Sequence, residues 1–352
     1  MDRRGFLAGK MERFLKSRYR IAERIGENPF SITYKGYLMG TEVPVIIKIY
    51  KRSALNSPLI NKLRPKVTKI ISLDHPNIAR VIDGDYGWQG FYFVREYVEG
   101  ENLEGVLANG APDLALSIEI IKQVLSSLAT AHAENLIHGA ISARNIFIAG
   151  KEVKVTDFIL EPAVRINPSL LAAAAAMDSS YMSPEQIKGE QVTVASDMYS
   201  TGVIFYQLVT GALPFDGKSG LGTALMHLSE ETVPPSHLNS GIPDYIDNII
   251  MKMLEKDPLQ RIGKAGDVLE SLNKQRLIFN LPNQEFVDLI YGEDAEPIEY
   301  REEIEEPKKK PAGRGRKRKL KRRTMLILLI LIAVAAGLWY AFILNFISAN
   351  AR

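Results

Sequence analysis

Several short motifs carry the side chains that could do chemistry, and their order along the chain is the first signal in the sequence. Lys48 ends the run VIIK, His138 opens HGA with Asn145 seven residues later, and Asp157 opens DFI. A lysine offers a cation and an aspartate a carboxylate, the groups that attract or bind charged ligands. Each residue alone has a simpler interpretation, with Lys48 as a surface lysine at a strand end and Asp157 as a turn residue.

The supply of cysteine and histidine limits the chemistry further. The chain has 352 residues with no cysteine and five histidines. A disulfide scaffold, a thiolate metal site and a cysteine nucleophile are therefore excluded, and a metal enzyme would have few imidazole ligands. The length suits one large domain or two ordinary ones.

The elements that must position these motifs change character near Gly110. Before it, residues 43–50 and 90–98 are rich in β-branched and aromatic side chains, which predicts strands. Between them, 59–73 has helical spacing of apolar residues, interrupted by Pro65. After Gly110 the apolar periodicity predicts helices over 114–133, 197–210 and 243–254. This arrangement is an α+β fold of two lobes, with a ligand cleft between them.

Three later motifs complete an ordered series. They are Ser183-Pro184-Glu185, the run DMYSTG that begins at Asp197, and Arg261 after Asp257-Pro258. Together with the earlier motifs, the series resembles the bacterial eukaryotic-like Ser/Thr protein kinases over residues 19–275. The resemblance implies a bilobal protein kinase fold with a β-rich N-lobe and a helical C-lobe.

On the nucleotide side, the resemblance implies ATP and Mg²⁺ as cofactors. Lys48 matches the lysine that holds the phosphates, and Asn145 and Asp157 match the two metal ligands. The remaining nucleotide contacts fall on Gly26, Glu96, Val98 and Phe147.

Other parts of the nucleotide side depart from the family pattern. The phosphate-covering loop keeps its first glycine, Gly26, whereas Asn28 and Ser31 replace later ones. No acid occurs between residues 43 and 73, and Lys66 stands where the glutamate partner of the strand lysine is expected. Arg95 stands at the gatekeeper position, where its side chain either pairs with Asp157 or points to solvent.

The phosphotransfer side departs most. Ala140 stands at the position of the catalytic aspartate and cannot accept a proton. Ser142 replaces the catalytic-loop lysine, Asp178 a threonine, and Gly139 the loop arginine, so the chain keeps no intact catalytic residue. The residues that match the family's structural positions are all present, namely Glu185, Asp197 and Arg261.

The charge of the chain is unevenly distributed. The net charge of +3 hides a body of residues 1–291 with 31 basic and 33 acidic residues. A C-terminal extension with an acidic linker (276–307) follows, in which 292–306 carry eight acids. The basic segment 308–323 then carries 11 Lys and Arg and no acid. At the other end, residues 1–18 form a basic amphipathic segment that we expect to pack on the domain, with contact to a membrane surface as the alternative.

Residues 325–344 contain no charge and are long enough to cross a bilayer as a helix. The sequence thus predicts one transmembrane helix over 324–347 and a short extracytoplasmic tail at 348–352. The positive-inside rule places the kinase-like domain in the cytoplasm, at the inner membrane. The basic segment is then a topology signal that attracts anionic lipid, and its position favours this over a nucleic-acid tail.

Three functions remain open at this point. The leading hypothesis is a membrane-anchored pseudokinase that binds ATP and acts on a signalling protein partner of unknown identity. The second is a weakly active Ser/Thr kinase in which another acid, such as Asp178, serves in place of Ala140. The third is an adaptor that needs no nucleotide.

Overall fold

The computed structural model describes residues 15, 17–28, 31–51, 65–87, 90–158 and 179–274. The predicted linker, basic segment and membrane span lie outside these residues, as does Asp178. Within them a strand-rich lobe precedes a helical lobe. The predicted α+β bilobal arrangement is therefore confirmed.

The N-lobe is an antiparallel sheet of five strands in the order β1-β2-β3-β5-β4. The strands are β1 (Tyr19–Glu27), β2 (Ser31–Leu38), β3 (Pro44–Tyr50), β4 (Val81–Gly87) and β5 (Gly90–Glu96). Strand β3 is paired on both edges, and its β-branched residues Val45, Ile46 and Ile47 are buried. In this register Lys48 lies opposite Thr33 on β2 and Phe93 on β5, near the cleft end of the sheet.

A helix and a small second sheet connect the lobes. Residues 65–71, which we label α1, are helical, and Pro65 begins the described part of that helix. The second sheet has the order β6-β7-β8, with β6 (Glu101–Asn102), β7 (Ile146–Ala149) and β8 (Glu152–Val155). The β7-β8 hairpin brings the two predicted metal ligands to the same place, because Asn145 precedes it and Asp157 follows it.

The C-lobe is helical. Its helices are α2 (Leu103–Ala108), α3 (Leu114–Ala133), α4 (Pro184–Lys188), α5 (Val194–Thr210), α6 (Gly220–Ser229), α7 (Pro235–Leu238), α8 (Asp244–Met253) and α9 (Ala265–Lys274), with 3₁₀ turns at Ala143–Asn145 and Pro258–Gln260. Helix α5 starts three residues before the predicted 197–210, because the Ser196 hydroxyl accepts a hydrogen bond from the backbone N–H of Thr193 at 3.1 Å and closes an earlier first turn.

Helix α3 is the central helix of the C-lobe and matches the predicted 114–133. Asp113 caps it by accepting from the backbone N–H of Leu116 at 2.8 Å. Its buried face packs against α5 and α9, and Ser117 donates to the carbonyl of Leu208 on α5 at 3.2 Å. The same buried face continues into the N-lobe core.

The described end of the N-terminal segment packs on the sheet. Leu15 is fully buried with Tyr19 against Val45, Ile47 and Val94. This agrees with the predicted packing of the 1–18 segment at Leu15; the segment before it lies outside the described residues.

Among the described residues, one helix is long and apolar enough to cross a membrane, namely Leu114–Ala133. It is the central helix α3, whose apolar face lies in the core of the C-lobe. A core helix meets the same criteria of length and composition, so this observation says nothing about the predicted span at 324–347.

Candidate functional site

One buried carboxylate, that of Asp197, holds the loop at residues 138–145. Its Oδ2 accepts from the backbone N–H of His138 at 2.8 Å and lies 2.8 Å from Nε2 of His132. Its Oδ1 accepts from the backbone N–H of Gly139 at 2.6 Å. These bonds compensate for the hydration that a carboxylate loses at 1% exposure. Helix α5 therefore fixes the shape of this loop.

The side chain of His138 ties the loop to the segment that precedes Asp157. Its Nε2 lies 2.8 Å from the carbonyl of Thr156, and its Nδ1 lies 3.1 Å from the backbone nitrogen of Ala140. Since a carbonyl only accepts, Nε2 carries the hydrogen and Nδ1 accepts. The ring also packs against Phe158, with 4.5 Å between centroids. The loop and the Asp157 segment thus form one packed unit.

The centre of the loop holds the two replaced residues, Gly139 and Ala140. Gly139 has φ 69°, a left-handed conformation that glycine adopts without a steric penalty. Its carbonyl accepts from Nε2 of Gln186 at 2.7 Å. Ala140 is 9% exposed and presents only a methyl group. The loop is therefore well formed, but its centre lacks a proton acceptor.

Asn145 closes the loop at its other end. Its side-chain Nδ2 donates to the carbonyl of Ala140 at 2.9 Å, and its backbone N–H donates to the carbonyl of Ser142 at 3.0 Å. The backbone N–H of Thr156 donates to the Asn145 carbonyl at 2.8 Å. These bonds orient the amide and leave its Oδ1 as the atom with which Asn145 could bind a metal ion.

Lys48, Arg95 and Asp157 form an ion cluster where the two lobes meet, which we call the Asp157 cluster. The Lys48 Nζ lies 3.1 Å from Oδ2 of Asp157, and the Arg95 Nε lies 3.3 Å from Oδ1. The three side chains are only 8–15% exposed. Burial by itself would raise the pKa of Asp157, but the two cations outweigh it and hold the pKa below its ordinary value.

The cluster gives Lys48 a counter-ion and decides between the two orientations expected for Arg95. Lys48 takes Asp157 as its counter-ion, and Arg95 turns inward to Asp157 instead of pointing to solvent. Asp157 itself has φ 64°, which is uncommon outside glycine and locates backbone strain at this point.

The loop between β1 and β2 uses its own polar groups internally. The backbone N–H of Asn28 donates to the carbonyl of Ser31 at 2.9 Å, and the backbone N–H of Ser31 donates to Oδ1 of Asn28 at 2.7 Å. Lys51 donates to the Asn28 carbonyl at 2.8 Å. Two N–H groups of this predicted phosphate-covering loop are therefore engaged within the loop, and Gly26 lies before them on β1.

Comparison with known proteins decides the family. The model of the protein kinase domain matches residues 19–275. This chain belongs to the protein kinase family. The serine/threonine-protein kinase PrkC of Bacillus subtilis is 34% identical over 257 residues, which are 72% of this chain and 40% of the relative. The serine/threonine-protein kinase PknB of Mycobacterium tuberculosis is 29% identical over 267 residues, which are 73% and 43%.

A solved structure shows the same fold. The kinase domain of Mycobacterium tuberculosis PknI superposes with a TM-score of 0.58 at 19% identity, covering 74% of this chain and 96% of that one. The chain spans between two fifths and one half of the length of the curated relatives it matches. The curated relatives PrkC and PknB are named serine/threonine-protein kinases, and protein kinases in general use ATP and Mg²⁺.

The kinase hinge begins at Glu96, the last residue of β5, and includes Val98. Glu96 forms an ion pair at 3.0 Å with Lys154 on β8, which sequence reasoning did not single out. Val98 is buried at 6% exposure. Phe147 on β7 lies under the guanidinium of Arg95, with 5.7 Å from its carbon to the ring centroid. Of these predicted nucleotide contacts, Glu96 and Phe147 thus lie next to Arg95 of the Asp157 cluster.

A magnesium ion fits this kinase cleft poorly as it is arranged. Mg²⁺ binds carboxylate oxygens at about 2.0–2.1 Å and needs regular octahedral space. Both oxygens of Asp157 already contact a buried cation, and only Asn145 offers an unengaged side-chain oxygen by its bonding pattern.

Lys66 lies on α1, on the helix that carries the glutamate partner in active kinases. It is half-buried in the structure, while the strand lysine Lys48 pairs with Asp157 instead. The absence of an acid on this helix therefore goes together with the different pairing of Lys48.

The predicted structural pair of the C-lobe is present in full. Arg261 binds Glu185 through two hydrogen bonds of 2.6 and 2.8 Å, and both side chains are buried. Arg261 also donates to the carbonyls of Ala195, Glu255 and Lys256. The pair satisfies the guanidinium, as a buried charge requires.

A further series of hydrogen bonds in the C-lobe was not predicted from the sequence. The hydroxyl of Tyr199 lies 2.9 Å from Nδ1 of His227, and Nε2 of His227 lies 3.1 Å from the carbonyl of Ser180. It connects α5 and α6 to the segment before α4. No motif marks these residues, because their spacing in sequence carries no regular pattern.

Proposed function

We propose that this chain is a pseudokinase, a kinase-fold protein without phosphotransfer that acts by binding a signalling protein. The observation that carries the proposal is Ala140, which presents a methyl group at the centre of a loop that is otherwise held in place by Asp197 and Asn145. The methyl group of Ala140 could neither orient a substrate hydroxyl nor take its proton.

Ala140 is not the only position of the phosphotransfer site at which this chain departs from the family pattern. Ser142 offers no cation for a transferring phosphate, and the partners of Lys48 differ from those of active kinases. The family-structural residues are nevertheless intact, as the buried Glu185–Arg261 pair illustrates. Loss of chemistry with retention of the fold favours a protein that works through its surface.

The test is phosphate transfer from labelled ATP by the full chain, with the Lys48→Ala variant as control. We expect the same background incorporation from both proteins. Incorporation above background that Lys48→Ala abolishes would contradict the proposal, because a contaminating kinase would be insensitive to that change.

A weakly active kinase is the second candidate, because Lys48, Asn145 and Asp157 are all retained and lie around one cleft. Positioning and charge stabilisation supply much of phosphoryl transfer, so another acid could support a slow reaction. Asp178 is the residue to test. Activity that is lost in Asp178→Asn would favour this candidate over the pseudokinase.

We propose also that the protein is anchored in the cytoplasmic membrane. The support comes from sequence alone: the uncharged run 325–344 directly follows the 11 basic residues of segment 308–323. Alkaline carbonate extraction of membranes should leave the full chain in the pellet. Its release into the supernatant would contradict a membrane-spanning helix.

A further inference from the structure

Arg95 is a long cation in an unusual place. It lies on β5, next to the hinge, and its whole residue is 7% exposed. Instead of reaching water, its guanidinium contacts three groups of the cleft: the Asp157 carboxylate, the backbone carbonyl of Glu96 at 3.1 Å and the ring face of Phe147. Arg95 thus runs from the hinge to the predicted metal ligand.

The carboxylate of Asp157 is already more than neutralised by its two cationic neighbours. Two cations, Lys48 and Arg95, share one carboxylate, so the cluster carries a net charge of +1. A divalent ion on Asp157 would lie within a few ångströms of both cations in a place of low exposure, where like charges repel strongly. Mg²⁺ would therefore have to displace Arg95 to reach its carboxylate oxygen.

The hinge carbonyl next to Arg95 also already accepts a hydrogen bond from this side chain. The Arg95 NH1 donates to the Glu96 carbonyl, an acceptor in the segment that the family resemblance assigns to the nucleotide base. An amino group of a base approaching this carbonyl would meet the guanidinium N–H groups, which are also donors. Phe147, on the opposite wall, is covered by the same guanidinium.

The predicted phosphate-covering loop also has two backbone N–H groups that are already hydrogen-bonded. The backbone N–H groups of Asn28 and Ser31 are engaged within their own loop, so they do not point to an incoming phosphate. Three sets of groups that the family resemblance assigns to nucleotide binding therefore already bond within the protein. They are the carboxylate of Asp157, the carbonyl of Glu96 and the backbone N–H groups of Asn28 and Ser31.

We propose that Arg95 takes the place of the metal ion at Asp157 and keeps nucleotide, with or without magnesium, out of the cleft. The proposal rests on the proposed function, since a domain without phosphotransfer does not need a metal–nucleotide complex. The two are separable by experiment. A pseudokinase that binds Mg-ATP without transferring phosphate would contradict only the role of Arg95.

Thermal unfolding of the full chain tests the role of Arg95. Melts are recorded without nucleotide, with millimolar Mg-ATP, and with ATP plus EDTA, for the native chain, Arg95→Met and Arg20→Met. Methionine matches the length of the arginine stem without its charge. Arg20 is a suitable control, because it pairs with Glu42 on the surface of β1, with 51% and 86% of the side chains exposed.

We expect no shift of the melting temperature by either ligand in the native chain or in Arg20→Met. In Arg95→Met, Mg-ATP should raise the melting temperature by several degrees, the effect of a ligand well above its dissociation constant. A comparable rise with Mg-ATP in the native chain would overturn the proposal, and so would a rise with ATP plus EDTA. An Arg95→Met variant that folds but gains no shift would also count against it.

A second measurement covers the case in which Arg95→Met does not fold. Mn²⁺ replaces Mg²⁺ in many such sites and is detected directly by electron paramagnetic resonance. Titration of the native chain with Mn²⁺ in the presence of ATP should show no protein-dependent loss of the free Mn²⁺ signal. Bound Mn²⁺ that Asp157→Asn releases would overturn the proposal without any need for Arg95→Met.

Discussion

The buried imidazole of His227 should make the C-lobe sensitive to mild acid. Its Nε2 donates to the carbonyl of Ser180 and its Nδ1 accepts from the hydroxyl of Tyr199. The bond from Tyr199 requires the neutral ring, because protonation removes the acceptor at Nδ1, whereas Nε2–H donates to the Ser180 carbonyl in either form. Lys256 packs near it, with its Nζ 3.9 Å from the centroid of Phe215, and the ring of Phe215 contacts the imidazole edge-on. A proton on His227 would thus be buried beside another cation.

The size of the effect follows from the pKa. Burial is the main cause that lowers the pKa of His227 from 6.5 to about 4, the charge of Lys256 adds to it, and the bond to Ser180 opposes it. Between these two values the unfolded chain binds a proton that the folded chain does not. The free energy of unfolding therefore falls as pH drops from about 6.5 towards 4, and the loss reaches about 2 kcal/mol near pH 5.

The measurement is urea unfolding of the full chain, followed by circular dichroism at pH 7.5 and pH 5. His227→Gln keeps a donor and an acceptor but cannot titrate, so it should lose about 2 kcal/mol less than the native chain over this interval. The matched control is His237→Gln, because His237 is exposed. Equal pH dependence in the native chain and His227→Gln would refute the reasoning, whatever their absolute stabilities.

Two further predictions concern stability. Glu185→Gln leaves Arg261 buried without a counter-charge, so we expect unfolding to become easier by about 3–5 kcal/mol in thermal or urea melts; a loss under about 1 kcal/mol would contradict the role of this pair. Gly202→Ala should cost about 1–3 kcal/mol in the same melts, because the added Cβ would lie 2.7 Å from Cβ of Met253 on a neighbouring helix. Gly266→Ala, where a Cβ meets no atom within 4 Å, is its control and should not be destabilised, and equal losses in the two alanine variants would contradict the steric argument.

Many of the strands and helices could be predicted from the sequence, because they depend on residue patterns within a single segment. The strands near residues 43–50 and 90–98 and the helix over 114–133 depend on side-chain periodicity within each segment, and the structure places all three close to the predicted bounds. The start of α5 at Val194 was missed, because it depends on a reciprocal contact of Thr193 and Ser196 and not on apolar spacing.

The residues of the candidate site could be predicted from the sequence only in part. The order of the motifs located Lys48, Asn145 and Asp157, and the fold brings them to one cleft. The direction of Arg95 was not readable, since it depends on a side-chain conformation between two lobes that are distant in sequence. The Tyr199–His227–Ser180 chain of hydrogen bonds was not predicted either, because its three residues meet only after their elements pack together.

The way Asp197 holds the 138–145 loop bears on how this sequence could change over time. Two of its hydrogen bonds go to the backbone N–H groups of His138 and Gly139, which every residue except proline possesses. These two bonds therefore do not depend on which side chains stand at positions 140 and 142. A side chain at position 139 would instead act on the backbone itself, because Gly139 has φ 69°, a conformation that is strained for residues other than glycine.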